Sequence, residues 1–285
     1  MKKFLSLTLL SFTILSNSYA IAKEEKKEPE KLEDIIKIPG SFTGKFGFIS
    51  DYTWRGIAQS NENGAIQGQF DYNHDSGFYL GAWASNVDFG ATNDANLEVD
   101  VYSGYTFKYE MFDFNIGGIY YIYPGAESSF ELDYYEYQTA VTSDFDVASV
   151  TGSVNYTPDF SGGLGEGYYY KGLVNIPLLK NLDIVNKPIE TALGVIDSPF
   201  RNYGILNKGY GFISNEVGVF ASIGRQTVQN NVGFTYPDYN DWAVGANFSF
   251  KGFDLTVQYV DTNIDTTRCP DLCDGKVLFS IGRAF

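Results

Sequence analysis

The last ten residues, KVLFSIGRAF at positions 276–285, place Val277, Phe279, Ile281 and Phe285 on one parity and Lys276, Leu278, Ser280, Gly282 and Ala284 on the other. Successive side chains of a strand point to opposite faces, so each parity is a face. One face is apolar and aromatic; the other is mostly small or polar. A strand that crosses a bilayer within a barrel needs this division, with the apolar residues toward lipid and the polar ones toward the lumen. Arg283 is the charged exception on the lipid parity. It stands close to the end of the strand, where a long cationic side chain reaches the headgroups at a cost of roughly 0 to 1 kcal/mol.

The same alternation recurs upstream. Residues 41–55 set Phe42, Phe46, Phe48, Tyr52 and Trp54 against Ser41, Thr43, Lys45, Asp51 and Arg55, a period-2 pattern sustained long enough to predict one strand. Further strands are expected at 65–73, 78–87, 97–109, 112–123, 134–143, 148–156, 168–176, 217–224, 241–250 and 253–260, and the terminal strand completes twelve. Short connections at 74–77, 109–111, 144–146 and 251–252 alternate with longer ones, as in barrels with short periplasmic turns and long outer loops. The expected fold is therefore all-β, a transmembrane antiparallel β-barrel of about 12 strands. Residues 177–216 are too long for a turn and hold one more candidate strand at 189–196, so 14 strands is the alternative; either count leaves both termini on the periplasmic side.

Ahead of the barrel, residues 1–22 carry Lys2 and Lys3, an apolar stretch and then small residues, which is the pattern of a secretory signal peptide. The apolar part is shorter than the roughly 20 residues that span a bilayer as a helix. Residues 23–40 form a mixed-charge periplasmic linker with too little apolar surface to fold alone, leaving 41–285 for the barrel. Aromatic residues make up 17% of the chain and Gly reaches 30, a usage that favours aromatic girdles over a soluble β-sandwich. The formal net charge of −15 becomes still more negative when the two signal lysines are removed. Nucleic acid is excluded as a partner, because phosphate backbones demand cations.

Few residues carry chemistry. His74, Asp75 and Ser76 name the members of a hydrolytic triad, but three neighbours in a tight turn cannot converge on one proton-transfer path; they read as a turn. Asp261, Asn263 and Asp265 have alternate-residue spacing like a calcium loop, yet the glycine and distal glutamate of that pattern are missing. No catalytic, cofactor or metal residue is expected. Cys269 and Cys273 are the only cysteines of an exported chain, and a disulfide is expected there. Arg55, beside Trp54, either lines an external constriction or pairs with loop acids; the second is the simpler reading. The inward parity includes Asp71, Glu98, Asp100, Asp113, Asp254, Lys45 and Lys171, together with Glu136 and several amides. This set leans acidic and is expected to line the lumen.

Ser50 to Ile57 (SDYTWRGI), Gln67 to Tyr72 (QGQFDY), Ser76 to Gly81 (SGFYLG) and Trp83 to Val87 (WASNV) together resemble the TorF family of outer-membrane porins, of the Gcw_chp type. Tyr156 to Phe160, Tyr239 to Gly245 and the Cys269 to Cys273 loop look like later members of that pattern, and the 177–216 region departs from it by expansion. The resemblance implies a bacterial outer-membrane channel for passive transport of small hydrophilic solutes and no enzyme activity. The acidic parity adds an expected leaning toward cations. A non-conducting structural or adhesive barrel is the alternative. A final strand ending on Phe285 further resembles the terminal strands of outer-membrane barrels, which implies recognition by the outer-membrane assembly machinery and contact with outer-membrane lipid.

Overall fold

A computed structural model describes residues 38–90, 94–145, 147–178, 217–230, 238–250, 252–265 and 267–285. The expected signal peptide, most of the expected linker and the candidate strand at 189–196 lie outside the described residues. From Pro39 to Phe285 the chain builds one closed antiparallel barrel. Its wall contains β1 (Ser41–Ile49), β4 (Ala65–Asn73), β5 (Phe78–Asn86), β6 (Leu97–Tyr109), β7 (Phe112–Ile122), β8 (Tyr134–Asp144) and β9 (Ser149–Thr157). It continues with β10 (Gly167–Pro177), β11 (Val217–Val228), β12 (Tyr239–Phe250), β13 (Phe253–Thr262) and β14 (Lys276–Ala284). Two short strands, β2 (Thr53–Trp54) and β3 (Ile57–Ala58), form a separate hairpin.

Each wall strand pairs with its chain neighbour, and β1 pairs with β14 to close the ring at twelve. Closure leaves no unpaired edge, which a bilayer would penalise by several kcal/mol per exposed backbone group. Fourteen strands are ruled out by a direct pairing: β10 bonds to β11 from Gly167↔Val228 to Pro177↔Gly218, so the wall has no place for an inserted hairpin.

The burial pattern is inverted relative to a water-soluble protein. Phe42, Phe46, Phe48, Ile66, Phe70, Val257, Val277, Phe279 and Ile281 are exposed on the outer face, while Gln67, Asn115, Gln138, Asn155, Asn247, Thr256 and Gln258 are buried inside. Period-2 alternation produces this sorting without any further instruction, because every second residue of a barrel strand faces the lumen. Aromatic rings mark two levels. Near the short turns Phe107 stacks on Phe114 with centroids 4.9 Å apart, and Phe42 lies 5.0 Å from Tyr72. Near the long loops Tyr156, Tyr168 and Tyr170 form a continuous row.

One expected strand is shorter than its pattern. The alternation at 41–55 predicts a single element, but pairing of β1 with β4 ends at Ile49↔Ala65. Beyond it the chain turns inward, and Tyr52, which the parity assigns to lipid, is buried within the barrel at 1% exposure.

Candidate permeation path

The first outer loop holds a hairpin, and that hairpin crosses the barrel. β2 and β3 pair as Thr53↔Ala58 and Trp54↔Ile57, leaving Arg55-Gly56 as a two-residue turn. Both turn residues have positive φ, 51° and 82°. That combination is the type I′ turn, whose twist matches a tight hairpin and which suits glycine at its second position. Local bonds hold the base: the Tyr52 amide donates to Ser60 Oγ at 2.8 Å, and the Gln59 amide donates to the Tyr52 carbonyl at 2.6 Å. Ser60 Oγ in turn donates to Asp51 at 2.8 Å, and Lys276 lies 3.4 Å from the same carboxylate. Burial pushes the Asp51 carboxyl up from its ordinary range, while the Ser60 bond and Lys276 oppose that rise.

At the tip, the Arg55 guanidinium donates through Nη2 to both oxygens of Glu136, at 2.8 and 2.6 Å, and through Nη1 to Gln226 Oε1. Glu136 stands on β8 and Gln226 on β11, which lie five strands from β1 one way round the wall and four strands the other way. The turn thus reaches the side of the lumen opposite its own root. The guanidinium is also sandwiched between the Trp54 and Tyr169 rings, at 4.0 and 4.1 Å. Arg55 is 3% exposed and Glu136 2%. Burial alone would lower the Arg55 pKa, but Glu136 beside it reverses the effect, and the group stays cationic. The expected pairing of Arg55 with loop acids is corrected: its partner is a wall acid. A desolvated pair is costly to form and costly to break from one side, about 3–5 kcal/mol when one partner is removed.

Aromatic packing seals the same level. Trp54 lies 5.9 Å from Phe160, and Tyr121 stacks on Tyr134 at 4.5 Å. On the other flank Ile57 packs with Tyr239, Ile264, Cys269 and Cys273, with the Ala58 amide donating to the Leu272 carbonyl at 2.9 Å. Cys269 and Cys273 form a disulfide with Cα atoms 5.6 Å apart. The bridged loop is therefore a lateral support for the hairpin.

Below and around the hairpin, tyrosines donate to the carboxylates. Tyr52 donates to Glu98 at 3.2 Å, Tyr121 to Glu136 at 3.2 Å, Tyr169 to Asp241 at 3.1 Å, and Tyr102 to Asp71. A phenol supplies one hydrogen bond and no charge; Glu136 has the Arg55 guanidinium in addition. Asp100 is 0% exposed, and its neighbours are two further acids, Glu98, which shares a hydrogen bond with it, and Glu136, which is held by Arg55.

The other expected lumen residues divide by level. Asp71 accepts from Gln69 at 2.7 Å and from Thr43 at 3.5 Å. Asp254 accepts from Ser249 at 2.9 Å and faces Lys45 across the β13, β14 and β1 wall. Lys171 is half-buried on the inward parity of β10. Asp113 stands apart: it is 30% exposed at the turn end of β7 and lies 3.6 Å from Lys108, so it belongs to the periplasmic rim.

The remaining candidates are local structure. His74 Nδ1 lies 2.8 Å from Ser76 Oγ and accepts the Ser76 amide within an exposed turn. Asp261, Asn263 and Asp265 do not converge: Asp261 accepts from Tyr259 and the Thr262 amide, Asn263 accepts from the Asn240 amide, and Asp265 accepts from Thr267. The Thr267 hydroxyl and amide, both donating to Asp265 Oδ1, hold its carboxyl below the ordinary range. Among the described residues no group of three or more His, Cys, Asp or Glu side chains is placed to hold a metal ion.

Sequence reasoning placed Glu136 inward but missed what it binds. The signal was present in Trp54-Arg55-Gly56-Ile57, two residues ending in glycine between β-prone pairs, which is a hairpin turn signature. It was hidden because the surrounding alternation reads equally well as one strand.

Residues 36–285 match the profile of a family described as a bacterial protein of unknown function (Gcw_chp). No curated protein matches the sequence. Among solved structures the KdgM porin is similar at 9% identity and a TM-score of 0.50, covering 85% of this chain and 98% of its own. The KdgM porin in complex with disordered oligogalacturonate gives the same identity and score over 86% and 98%. The NanC porin follows at 10% identity, 86% and 99% coverage and a TM-score of 0.47. At these identities the likeness is one of fold, that of an outer-membrane barrel.

Proposed function

We propose, for a chain that belongs to the Gcw_chp family of bacterial proteins, the function of an outer-membrane channel for small hydrophilic solutes. It leans toward cations and is restricted at its outer entrance by the Arg55 hairpin. The finer placement in the TorF family rests on the sequence segments quoted above. The observation that carries the reading is the set of buried lumen acids Asp71, Glu98 and Asp100, whose hydrogen-bond partners among the described residues are phenols, an amide, a hydroxyl and one another rather than cations. Such groups are neutralised either by a proton or by a cation drawn from solution. Asp241, which accepts from the Tyr169 phenol, extends the same field along the lumen. In a narrow low-dielectric tube that field concentrates cations over anions. An anionic sugar chain, such as the oligogalacturonate in the KdgM complex, would be repelled here.

The test is the reversal potential of the refolded barrel in a planar bilayer under a salt gradient. Cation preference is expected, weakening as salt shortens the screening length from about 10 Å at 0.1 M to about 3 Å at 1 M. Anion preference would assign the constriction to Lys45, Lys171 or Arg55 and overturn the reading.

The hairpin favours a second reading, a non-conducting structural or adhesive barrel with a fixed plug, because twelve strands enclose little space beyond their own side chains. Silence of both the native chain and a variant with the hairpin released would select it. For biogenesis, we propose that the assembly machinery reads the terminal strand through Phe285.

A further inference from the structure

On the lipid-facing wall, β8 to β12 enclose a groove of about 520 Å³. Its floor is a missing pair of side chains: Gly152 and Gly172 are direct cross-strand partners, both on the outward parity. A Cβ built on Gly152 would meet nothing within 4 Å, and one on Gly172 would meet only Ile223 Cγ2 at 3.9 Å. Neither glycine is required by a close approach of the wall. Val154 and Ile223 form the sides, and toward the outer end the groove runs up to Tyr170 and Arg225, which are cross-strand partners.

Arg225 is the unusual member. Among the described residues the outward parity carries two cations, and the other, Arg283, sits near the periplasmic end with its guanidinium 5.0 Å from the Phe253 ring. Arg225 lies at the opposite level, in the tyrosine row of Tyr156, Tyr168 and Tyr170. It is half-exposed, with Nη1 donating to Asn240 at 3.3 Å and Nη2 lying 3.7 Å from Asp238. Asp238 is itself engaged, accepting the Val228 amide at 3.1 Å. The long ion pair is worth little at such exposure, so the guanidinium remains available to a stronger anion at headgroup depth.

We propose that this groove holds one anionic lipid, its acyl chain lying over Gly152 and Gly172 and its headgroup phosphate against Arg225. Within a bilayer the hydrophobic effect cannot select one apolar occupant over another, because the surrounding chains are equally apolar. Discrimination must come from shape, which the two glycines supply, and from charge, which Arg225 supplies. A phosphate suits a guanidinium fork well, through paired charge-assisted hydrogen bonds.

The test is native mass spectrometry of the full barrel, released from neutral detergent after incubation with equimolar phosphatidylglycerol and phosphatidylcholine. The native chain should retain one lipid and favour phosphatidylglycerol about fivefold, the ratio expected of a single interfacial cation. Arg225→Gln should abolish the preference. Gly172→Leu, which projects into open space and so leaves the wall intact, should abolish retention of either lipid; heat-dependent gel mobility confirms that each variant is closed. Equal retention of the two lipids by the native chain, or unchanged retention in Gly172→Leu, would overturn the proposal. So would a mass of two chains without lipid, which would give the groove to a second copy.

Discussion

Arg55 and Glu136, 81 residues apart in sequence, meet at 2.6 Å across the interior of the barrel, joining the tip of an outer-loop hairpin to the wall opposite its root. If this pair latches the hairpin, removing one partner leaves a buried charge unpaired and releases the element, at about 3–5 kcal/mol of docking energy. Arg55→Ala should therefore raise single-channel conductance and make Trp54 more accessible to aqueous quenchers, while the barrel keeps its heat-dependent gel mobility. Gly56→Ala supplies a second route: its φ of 82° and a Cβ only 2.6 Å from Thr262 Cγ2 strain the turn without changing any charge. Unchanged conductance in both variants would show that the hairpin is not the restriction.

The disulfide acts on the hairpin from the side. Closing so short a loop removes about 2 kcal/mol equivalent of unfolded-chain entropy in the chain-entropy model, too little to decide whether a twelve-strand wall closes. Its placement against Ile57 matters more. Cys269→Ser with Cys273→Ser should leave insertion and gel mobility unaffected but should increase current noise and Trp54 quenching. Failure of the double variant to insert would assign the bridge a role in folding the wall.

What the sequence made legible, and what it did not, follows from the range over which each signal acts. Alternation is local, so Phe42, Phe46 and Phe48 outside and Lys45 inside could be read residue by residue. The end of β1 could not, because Asp51 to Arg55 continue the same period. The strand stops where its neighbour stops, at Ile49↔Ala65, which is a property of two segments. The inward place of Glu136 was likewise readable from parity, but its partner was not, since nothing in a period-2 pattern reports what stands across a lumen. The strand count was open for a related reason: length alone left residues 177–216 room for a hairpin, and only the register of β10 on β11 removed it.

The acids expected to line the lumen should separate in function by level. Asp113, partly exposed beside Lys108 at the rim, is compensated and wet; Asp100, fully buried beside Glu98, has an acid as its partner. Asp113→Asn is expected to leave the reversal potential within error of the native value. Asp100→Asn should reduce cation preference and, by replacing one of two adjacent buried acids with a neutral amide, should make the barrel more resistant to denaturant. Equal effects of the two substitutions on selectivity would mean that the field is set at the rim.

The seam between the first and last wall strands is extended by one further contact. Phe285 and Gly44 exchange two backbone hydrogen bonds of 2.9 and 3.0 Å, extending the β1 to β14 ladder by one pair. The Phe285 ring lies over Gly44, where a Cβ would come within 2.6 Å of it. Glycine there lets the terminal ring cover the seam from the lipid side. Deletion of Phe285 removes both the bonds and the cover, whereas Gly44→Val keeps the bonds and displaces the ring. If the ring is what the assembly machinery reads, deletion should lower the outer-membrane yield strongly, and Gly44→Val, which leaves Phe285 in the unassembled chain, should be delivered normally. Gly44→Val should then open at lower temperature in a gel-mobility melt, because its seam packs less well. Equal losses of delivery in the two variants would show that the contact with Gly44, rather than the free terminal ring, limits assembly.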